Sequence, residues 1–416
     1  MELLFKGLNP SYPNDVGIEV TPAKNFRENE RKLLQQSGLD RFGKTEAWTA
    51  LGTSQKLSYA THGIFRYFGK FPPPIATYLI HFYTKEIDFV LDPMCGSGTS
   101  AVESLFLHRR SIMNDLNPLS MLLTKVKTTR ISEEILQKRL DRLKEEYRPL
   151  SQDEYPFEPV ALRDPAHWFL AKTSDSLRGL KYLIEQEKDP DLKDFLSVIF
   201  ASTVRRVSKA TTQQGRLFLD VDTAQEDALP TFVKRYTIGM TGLQQIPEQS
   251  SVVYCNQDAR NLKSAINHPL ALIILHPPYF NSYKYSSINS LETGWLGIDR
   301  NAYRKQEIRE FFKVGKPENY RQYVDDMTDV LSEMLPLLKN GGVLALMIGD
   351  TVIRGNYIQV TKSILERLDF SRYEIERIAI RVPKYTEASW VASQRRHAND
   401  IGVTLHDFII CIRRTK

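Results

Sequence analysis

Short apolar runs broken by turn residues fill the middle and last part of the chain, and a long stretch between them carries helical spacing instead. Ile87 to Leu91 is mostly apolar, breaks at Asp92-Pro93, crosses Gly96-Ser97-Gly98 and enters an Ala-, Glu- and Leu-rich segment. That pattern predicts a strand at about 87–92, a glycine turn and a helix at about 99–108. Ser111 to Asp115 reads as the next strand, which completes a βαβ unit of a doubly wound α/β sheet. From about 130 to 245 the spacing is helical, in Glu133 to Glu146, Ser174 to Gln186 and Leu192 to Val207. Strands return at Ser251 to Cys255 and Ala271 to Leu275. A helix at about 318–338, stopped by Asn340-Gly341-Gly342, leads into the strand Val343 to Ile348. Tyr373 to Val382 and Asp407 to Arg413 read as two last strands joined by a long polar loop. Residues 1–60 are polar with few periodic cues and read as an N-terminal arm or cap. The expected division is therefore 1–60, a first sheet part 61–128, a helical insertion 129–248 and a second sheet part 249–416.

Composition narrows the class without choosing a function. A hydrophobic content of 42% and a charged content of 25% over 416 residues suit a globular chain with a full core. No apolar run approaches the roughly 20 residues of a membrane span, so no membrane partner is expected. The N-terminus lacks an apolar stretch long enough for a secretory signal. Cys95, Cys255 and Cys411 are scattered without metal-ligand spacing, so no metal is expected and reduced thiols in a cytoplasmic compartment are. The net charge of +6 permits a polyanionic partner and does not demand one.

The chemistry concentrates in two places. In the first, Asp92-Pro93-Met94-Cys95-Gly96-Ser97-Gly98-Thr99 forms a turn whose glycines let a ligand approach the backbone. Asp115 follows Gly96 by 19 residues, a spacing at which an acid in such folds accepts hydrogen bonds from ribose hydroxyls. The third glycine of GxGxxG is missing and no phosphate-loop Lys-Ser/Thr is present. A nucleoside without a polyphosphate is favoured, and S-adenosylmethionine fits. Asp258, after the third strand of the sheet, is placed either to meet the adenine amine or to cap a helix. A plain strand–turn–helix with a capping acid carries the same residues.

The second place is His276-Pro277-Pro278-Tyr279, at the carboxyl end of an apolar strand, where such sheets bind ligands. Two prolines stiffen the backbone, so the Pro277 carbonyl and a polar group on His276 are set to accept both hydrogens of an exocyclic amine. Tyr279 offers a flat face for a base that has left its duplex. A Pro-Pro turn ending a strand is the bland alternative.

These motifs, in this order, resemble the S-adenosylmethionine-dependent DNA methyltransferases that modify exocyclic amines, which carry Asp-Pro-x-x-Gly-Ser-Gly-Thr and then Asp/Asn/Ser-Pro-Pro-Tyr/Phe/Trp. The segment from Thr61 to Pro73, with Phe71 in it, resembles the family element that closes over the methionine end of the donor, and Asn114 to Pro118 its ribose-binding strand end. Tyr279 to Tyr285 with Leu291-Glu292 and Trp295-Leu296-Gly297 resembles the branch that usually writes Ser-Pro-Pro-Tyr. The resemblance implies a Rossmann-like class I methyltransferase sheet, cytosine N4 ahead of adenine N6 as acceptor, double-stranded DNA as partner and, by analogy, a cognate restriction endonuclease. It also implies cofactor contacts at Phe71, Asp92, Pro93, Cys95, Gly96, Ser97, Gly98, Thr99, Asp115 and Asp258. His276 departs from the family's Asp, Asn or Ser. A neutral imidazole accepts one hydrogen bond and a protonated one accepts none, so activity is expected to fall as pH drops through this histidine's pKa. An RNA base methyltransferase and a binding protein that keeps the fold without turnover are the rival readings.

A polymer substrate needs backbone contacts. Ala201 to Leu219 contains Arg205, Arg206, Lys209 and Arg216 without an acid, and Arg381 to His397 contains Arg381, Lys384, Arg395 and Arg396 against one acid, Glu387, with Tyr385 and Trp390. Basic residues beside aromatic ones suit phosphate contact and stacking. Solvated charged faces explain them equally well.

Overall fold

Three strands open the chain, β1 (Glu2–Leu4), β2 (Gly17–Pro22) and β3 (Lys44–Leu51), with helix α1 (Glu28–Ser37) between the last two. This computed structural model describes residues 1–70, 72–211, 217–248, 251–280, 285–308, 317–353, 356–382 and 407–416. Helix α2 (Pro73–Tyr83) leads to β4 (Phe89–Asp92), α3 (Thr99–Phe106), β5 (Arg110–Asn114) and α4 (Pro118–Thr128). A helical region follows: α5 (Glu133–Glu146), α6 (Pro165–Trp168), α7 (Ala171–Glu185), α8 (Pro190–Val207) and α9 (Leu229–Leu243). The chain then returns to the sheet with β6 (Val252–Cys255) and β7 (Leu270–Leu275). After α10 (Tyr285–Ile288), α11 (Ser290–Leu296), α12 (Asn301–Arg304) and α13 (Pro317–Met334) comes β8 (Leu338–Ile348). The small antiparallel pair β9 (Thr351–Ile353) and β10 (Asn356–Ile358), α14 (Val360–Leu365), β11 (Tyr373–Arg381) and β12 (Asp407–Arg414) complete it.

Ten strands make one sheet in the order β1-β2-β3-β11-β12-β8-β7-β4-β5-β6. Strands β4 to β8 pair in parallel, and β12 lies antiparallel between β8 and β11. The order reverses at β4, which pairs β5 on one side and β7 on the other. The crevice at the carboxyl ends beside such a reversal is where doubly wound sheets hold ligands. It is formed here by the ends of β4, β5 and β7.

Successive residues of the central strands feed opposite cores, as a period of two requires. Val90, Leu272, Ile274, Val343, Ala345 and Met347 face the core shared with α2–α4 and the helical region. Leu91, Ile273, Leu275, Leu344, Leu346 and Ile348 face the core shared with α1, α13 and α14. This gives an α/β sheet covered on both sides, with a helical region beside it. Among the described residues no helix is long and apolar enough to cross a membrane.

Two expectations are corrected. The first 60 residues are not an irregular arm: β3 pairs in parallel with β11, β2 with β3, and Trp48 is fully buried. Their polar composition concealed strands that each bury one face only. Asn340-Gly341-Gly342 is not a helix stop either. Helix α13 ends at Met334, and the glycines form a bulge inside β8, where one residue between Leu270 and Leu272 opposes four between Leu338 and Val343. Gly341 stands there at φ +77°, a conformation that suits glycine.

Candidate active site

The glycine turn is built by backbone hydrogen bonds across the ends of β4 and β5. The Cys95 N–H donates to the Asn114 carbonyl at 2.8 Å and the Gly98 N–H to the Cys95 carbonyl at 2.8 Å. Gly96 and Gly98 sit at φ +50° and +72°. A Cβ on Gly98 would lie 2.8 Å from Thr124 Oγ1 and 3.0 Å from its Cα, so α3 and α4 meet closely because no side chain intervenes. Beneath the turn, the fully buried Lys127 donates from Nζ to the Ser97 carbonyl at 2.6 Å. Burial, with the charge of Lys70, holds that amine well below the usual lysine range.

Asp115 lies where the spacing placed it. Its Oδ2 accepts the Gly96 N–H at 2.8 Å and its Oδ1 the Asn117 N–H at 2.8 Å, and the Ser120 hydroxyl also bonds this carboxylate. Burial pushes its pKa up to about 6. The open turn and a desolvated carboxylate with acceptor capacity left beyond these three bonds fit a ribose hydroxyl. Tyr67 covers the turn, its ring 3.3 Å from where a Gly96 Cβ would be and its hydroxyl 3.1 Å from Ser120 Oγ, and it stacks on Tyr285 at 6.1 Å.

Other donor-site candidates turn inward. Asp92 is 1% exposed; it accepts the Met94 N–H at 3.1 Å and the Ser100 hydroxyl, and burial raises its pKa to about 7. Its oxygens hold the turn to the first residues of α3. The Pro93 carbonyl accepts from Asn114 Nδ2 at 2.9 Å, and the buried Cys95 thiol lies 3.4 Å from Thr124 Oγ1. Ser97 and Thr99 pair their hydroxyls at 3.4 Å. Asp258 caps the turn at Ala259–Asn261 through the Arg260 N–H at 2.9 Å and forms an ion pair with the Arg260 guanidinium at 2.6 Å. Of its two expected roles, the structure displays the cap. Phe71 lies outside the described residues.

The second motif stands at the carboxyl end of β7, next to β4 (Val90 opposite Leu272, Leu91 opposite Ile273). His276 Nε2 is 3.0 Å from the Tyr279 hydroxyl, and the two rings meet edge to face at 5.3 Å. The Tyr279 hydroxyl also bonds Asp407, which Arg381 Nε holds at 2.7 Å. Tyr323 donates to the Pro278 carbonyl at 2.7 Å. Among the described residues no group donates to the Pro277 carbonyl. Burial pushes the His276 pKa down to about 4, with Asp407 and Arg381 acting in opposite senses. This imidazole is therefore neutral near pH 7, and the fall in activity expected at this histidine's pKa moves to about pH 4.

Sequence reasoning missed Asp407, Tyr323 and Lys127, and it read Arg381 as part of a basic stretch suited to phosphate, whereas Arg381 holds Asp407; each meets its partner only through the tertiary fold. It also missed Glu103. This buried carboxylate accepts from Tyr12, Tyr59 and His62 at 2.6 Å each and from Thr77 at 2.7 Å, tying α3 to the N-terminal segment, the 59–62 turn and α2. Burial takes the His62 pKa to about 4, so this contact is a hydrogen bond from a neutral ring rather than an ion pair.

The basic candidates divide. Arg205 is 6% exposed and donates from Nε and Nη2 to the Thr211 carbonyl at 3.1 and 2.9 Å. It is an internal strut, not the phosphate contact expected of it. Lys209 donates to the Ala166 carbonyl at 2.8 Å, whereas Arg206 is half-buried. Arg216, Lys384, Arg395 and Arg396 lie outside the described residues.

Comparison with known proteins places this geometry in context. Residues 19–125, from β2 through the glycine turn into α4, match the family model described as N6/N4 DNA methylase. The type II methyltransferase M.MvaI of Kocuria varians is 26% identical over 268 residues, 59% of each chain. M.MjaII of Methanocaldococcus jannaschii, also a type II methyltransferase, is 33% identical over 155 residues, 36% of this chain and 29% of that protein. The chain thus spans less than two thirds of the length of either relative. Among solved structures, TrmN from Thermus thermophilus aligns with a TM-score of 0.35 at 12% identity, covering 83% of this chain and 50% of that one.

Proposed function

We propose, from a chain that belongs to the N6/N4 DNA methylase family, that this protein methylates an exocyclic amine of a base in double-stranded DNA, cytosine N4 ahead of adenine N6. The observation that carries the reading is adjacency: β4 and β7 are parallel neighbours, so the glycine turn and the His-Pro-Pro-Tyr loop open on one crevice. The donor is S-adenosylmethionine, whose sulfonium supplies an electrophilic methyl group. Asp115 would hold its ribose, the backbone at Gly96 and Gly98 would admit it, and Tyr67 would cover it.

The chain's own residues orient the acceptor. Asp407, ionised beside Arg381, accepts the Tyr279 hydroxyl proton, so the Tyr279 oxygen accepts from His276 Nε2–H. That tautomer makes Nδ1 the acceptor atom of the imidazole. His276 Nδ1 and the Pro277 carbonyl would then take one amine hydrogen each, turning the nitrogen lone pair toward the methyl. Positioning and electrostatics are all the chain has to supply, since the methyl is already activated. Pairing with a restriction endonuclease would follow from the type II methyltransferase relatives.

The test is incubation of the purified protein with labelled S-adenosylmethionine and unmethylated genomic DNA, with total RNA in parallel, then nucleoside digestion and mass spectrometry. N4-methylcytosine in DNA is expected. N6-methyladenine would move the acceptor and keep the mechanism. Label in RNA alone, or none despite donor binding, would overturn the reading.

A further inference from the structure

Phe68, one residue beyond the tyrosine that covers the glycine turn, is flanked by guanidinium groups. Arg66 Cζ lies 5.0 Å and Arg205 Cζ 5.1 Å from its ring centroid. Arg205 is buried against the Thr211 carbonyl, with Glu292 as the acid that its charge meets. Arg235 of α9 is engaged as well, donating from Nη2 to the Gly63 and Ile64 carbonyls at 2.7 and 2.6 Å and from Nε to Ser202 Oγ at 2.8 Å.

Two cations of this cluster have no such engagement. Among the described residues neither Arg66 nor Arg206 has a hydrogen bond or a carboxylate partner. Arg206 is half-buried in the last turn of α8, and Arg66 is exposed beside it. Burial lowers the pKa of both, and the neighbouring guanidiniums Arg205 and Arg206 lower that of Arg66 further. Like charges drawn together and partly desolvated are costly unless an anion completes them.

Their place in the fold says which anion. Arg66 precedes Tyr67, which covers Gly96 and stacks on Tyr285, a residue just past the catalytic loop. Arg206 closes α8, which packs on α11, the helix that follows that loop. Both therefore stand on elements that border the site. Guanidinium forks match phosphate oxygens, and backbone contacts of this kind fix the register of a strand. We propose that Arg66 and Arg206 together grip one phosphodiester of the DNA strand that carries the target base, an inference that rests on the methyl-transfer reading.

The variants Arg66→Gln, Arg206→Gln and the double variant test it in the full chain. Duplex DNA binding would be followed by fluorescence anisotropy across a salt series, with donor affinity and thermal stability measured alongside. Each single variant should weaken DNA binding by about tenfold or more, as loss of a charge-assisted hydrogen bond does. The double variant should lower the slope of log K against log salt by about 0.9, the mark of one phosphate released. Donor affinity and melting temperature should stay unchanged. Unaltered affinity and slope, with the parent protein binding duplex DNA, would sink the clamp alone and leave two solvated charges at a helix end. Weakened donor binding with intact DNA binding would overturn it in favour of the donor's carboxylate. A parent protein that binds RNA and not duplex DNA would take down the methyl-transfer reading and the clamp with it.

Discussion

At the scale of single residues, the histidine at the head of the His-Pro-Pro-Tyr loop differs from a free histidine. Burial holds its pKa at about 4, below the ordinary value, so the charged form appears only when pH falls through about 4. The single-turnover methylation rate at saturating donor should therefore be flat from pH 5.5 to 8. Saturation matters because burial pushes the Asp115 pKa up to about 6, and the ionised carboxylate is the form proposed to hold the ribose. A rate that halves between pH 6 and 7 under those conditions would contradict a buried neutral imidazole. His276→Asn keeps an acceptor and should stay within about tenfold of the parent, whereas His276→Leu should lose about 10²-fold or more, as removal of a key polar contact does. The identity of His276 was legible in the chain; its protonation state was not. That state depends on burial and on Asp407 and Arg381, which β11 and β12 bring from the far end of the sequence.

Elements show the same division. The turn at Gly96-Ser97-Gly98 was legible because its signal is local: an apolar run, an Asp-Pro break and two glycines. What the tertiary structure adds is the reason Gly98 must be glycine. A Gly98→Ala side chain meets Thr124 at 2.8 Å in a backbone at φ +72°, whereas a Gly297→Ala side chain, at φ +83°, meets nothing within 4 Å. Strain alone costs roughly 1–2 kcal/mol, and overpacking adds about 1–3 kcal/mol. Urea unfolding should thus show Gly98→Ala losing at least about 1 kcal/mol more than Gly297→Ala; equal losses would mean that α3 and α4 are not in tight contact. Glu103 shows the opposite case, a residue with no motif that joins four segments through four donors. Glu103→Ala strands those donors in the core and should cost about 3 kcal/mol or more, since each buried unsatisfied donor costs about 1–3 kcal/mol, measured by the same unfolding. A loss under about 1 kcal/mol would match an exposed carboxylate rather than this one.

Over the whole molecule, the N-terminal strands decide where the sheet ends. Phe5, Tyr12, Val16, Ile18 and Trp48 are buried, and β3 covers the edge of β11. Burial of each large apolar side chain contributes about 1.5–3 kcal/mol, so five together match the roughly 5–15 kcal/mol that holds a typical domain folded. Deleting residues 1–52 should leave an aggregating product without a cooperative melt by circular dichroism. A soluble product that melts cooperatively would restore these residues to the standing of an appended arm. The sequence by itself determined the parts whose signal is short in range: the βαβ unit, the helical stretch, the glycine turn with Asp115, and the proline loop. Only the tertiary structure decided what depends on packing between distant segments. It placed the turn and the loop on adjacent strands, joined residues 2–51 to the sheet and buried Arg205 beside Phe68, while Arg66 and Arg206 meet no acid among the described residues. It also set the charge of His276. The physical reason is that hydrophobic periodicity and turn chemistry are written within a few residues, whereas desolvation and hydrogen-bond partnership exist only once the chain has closed on itself.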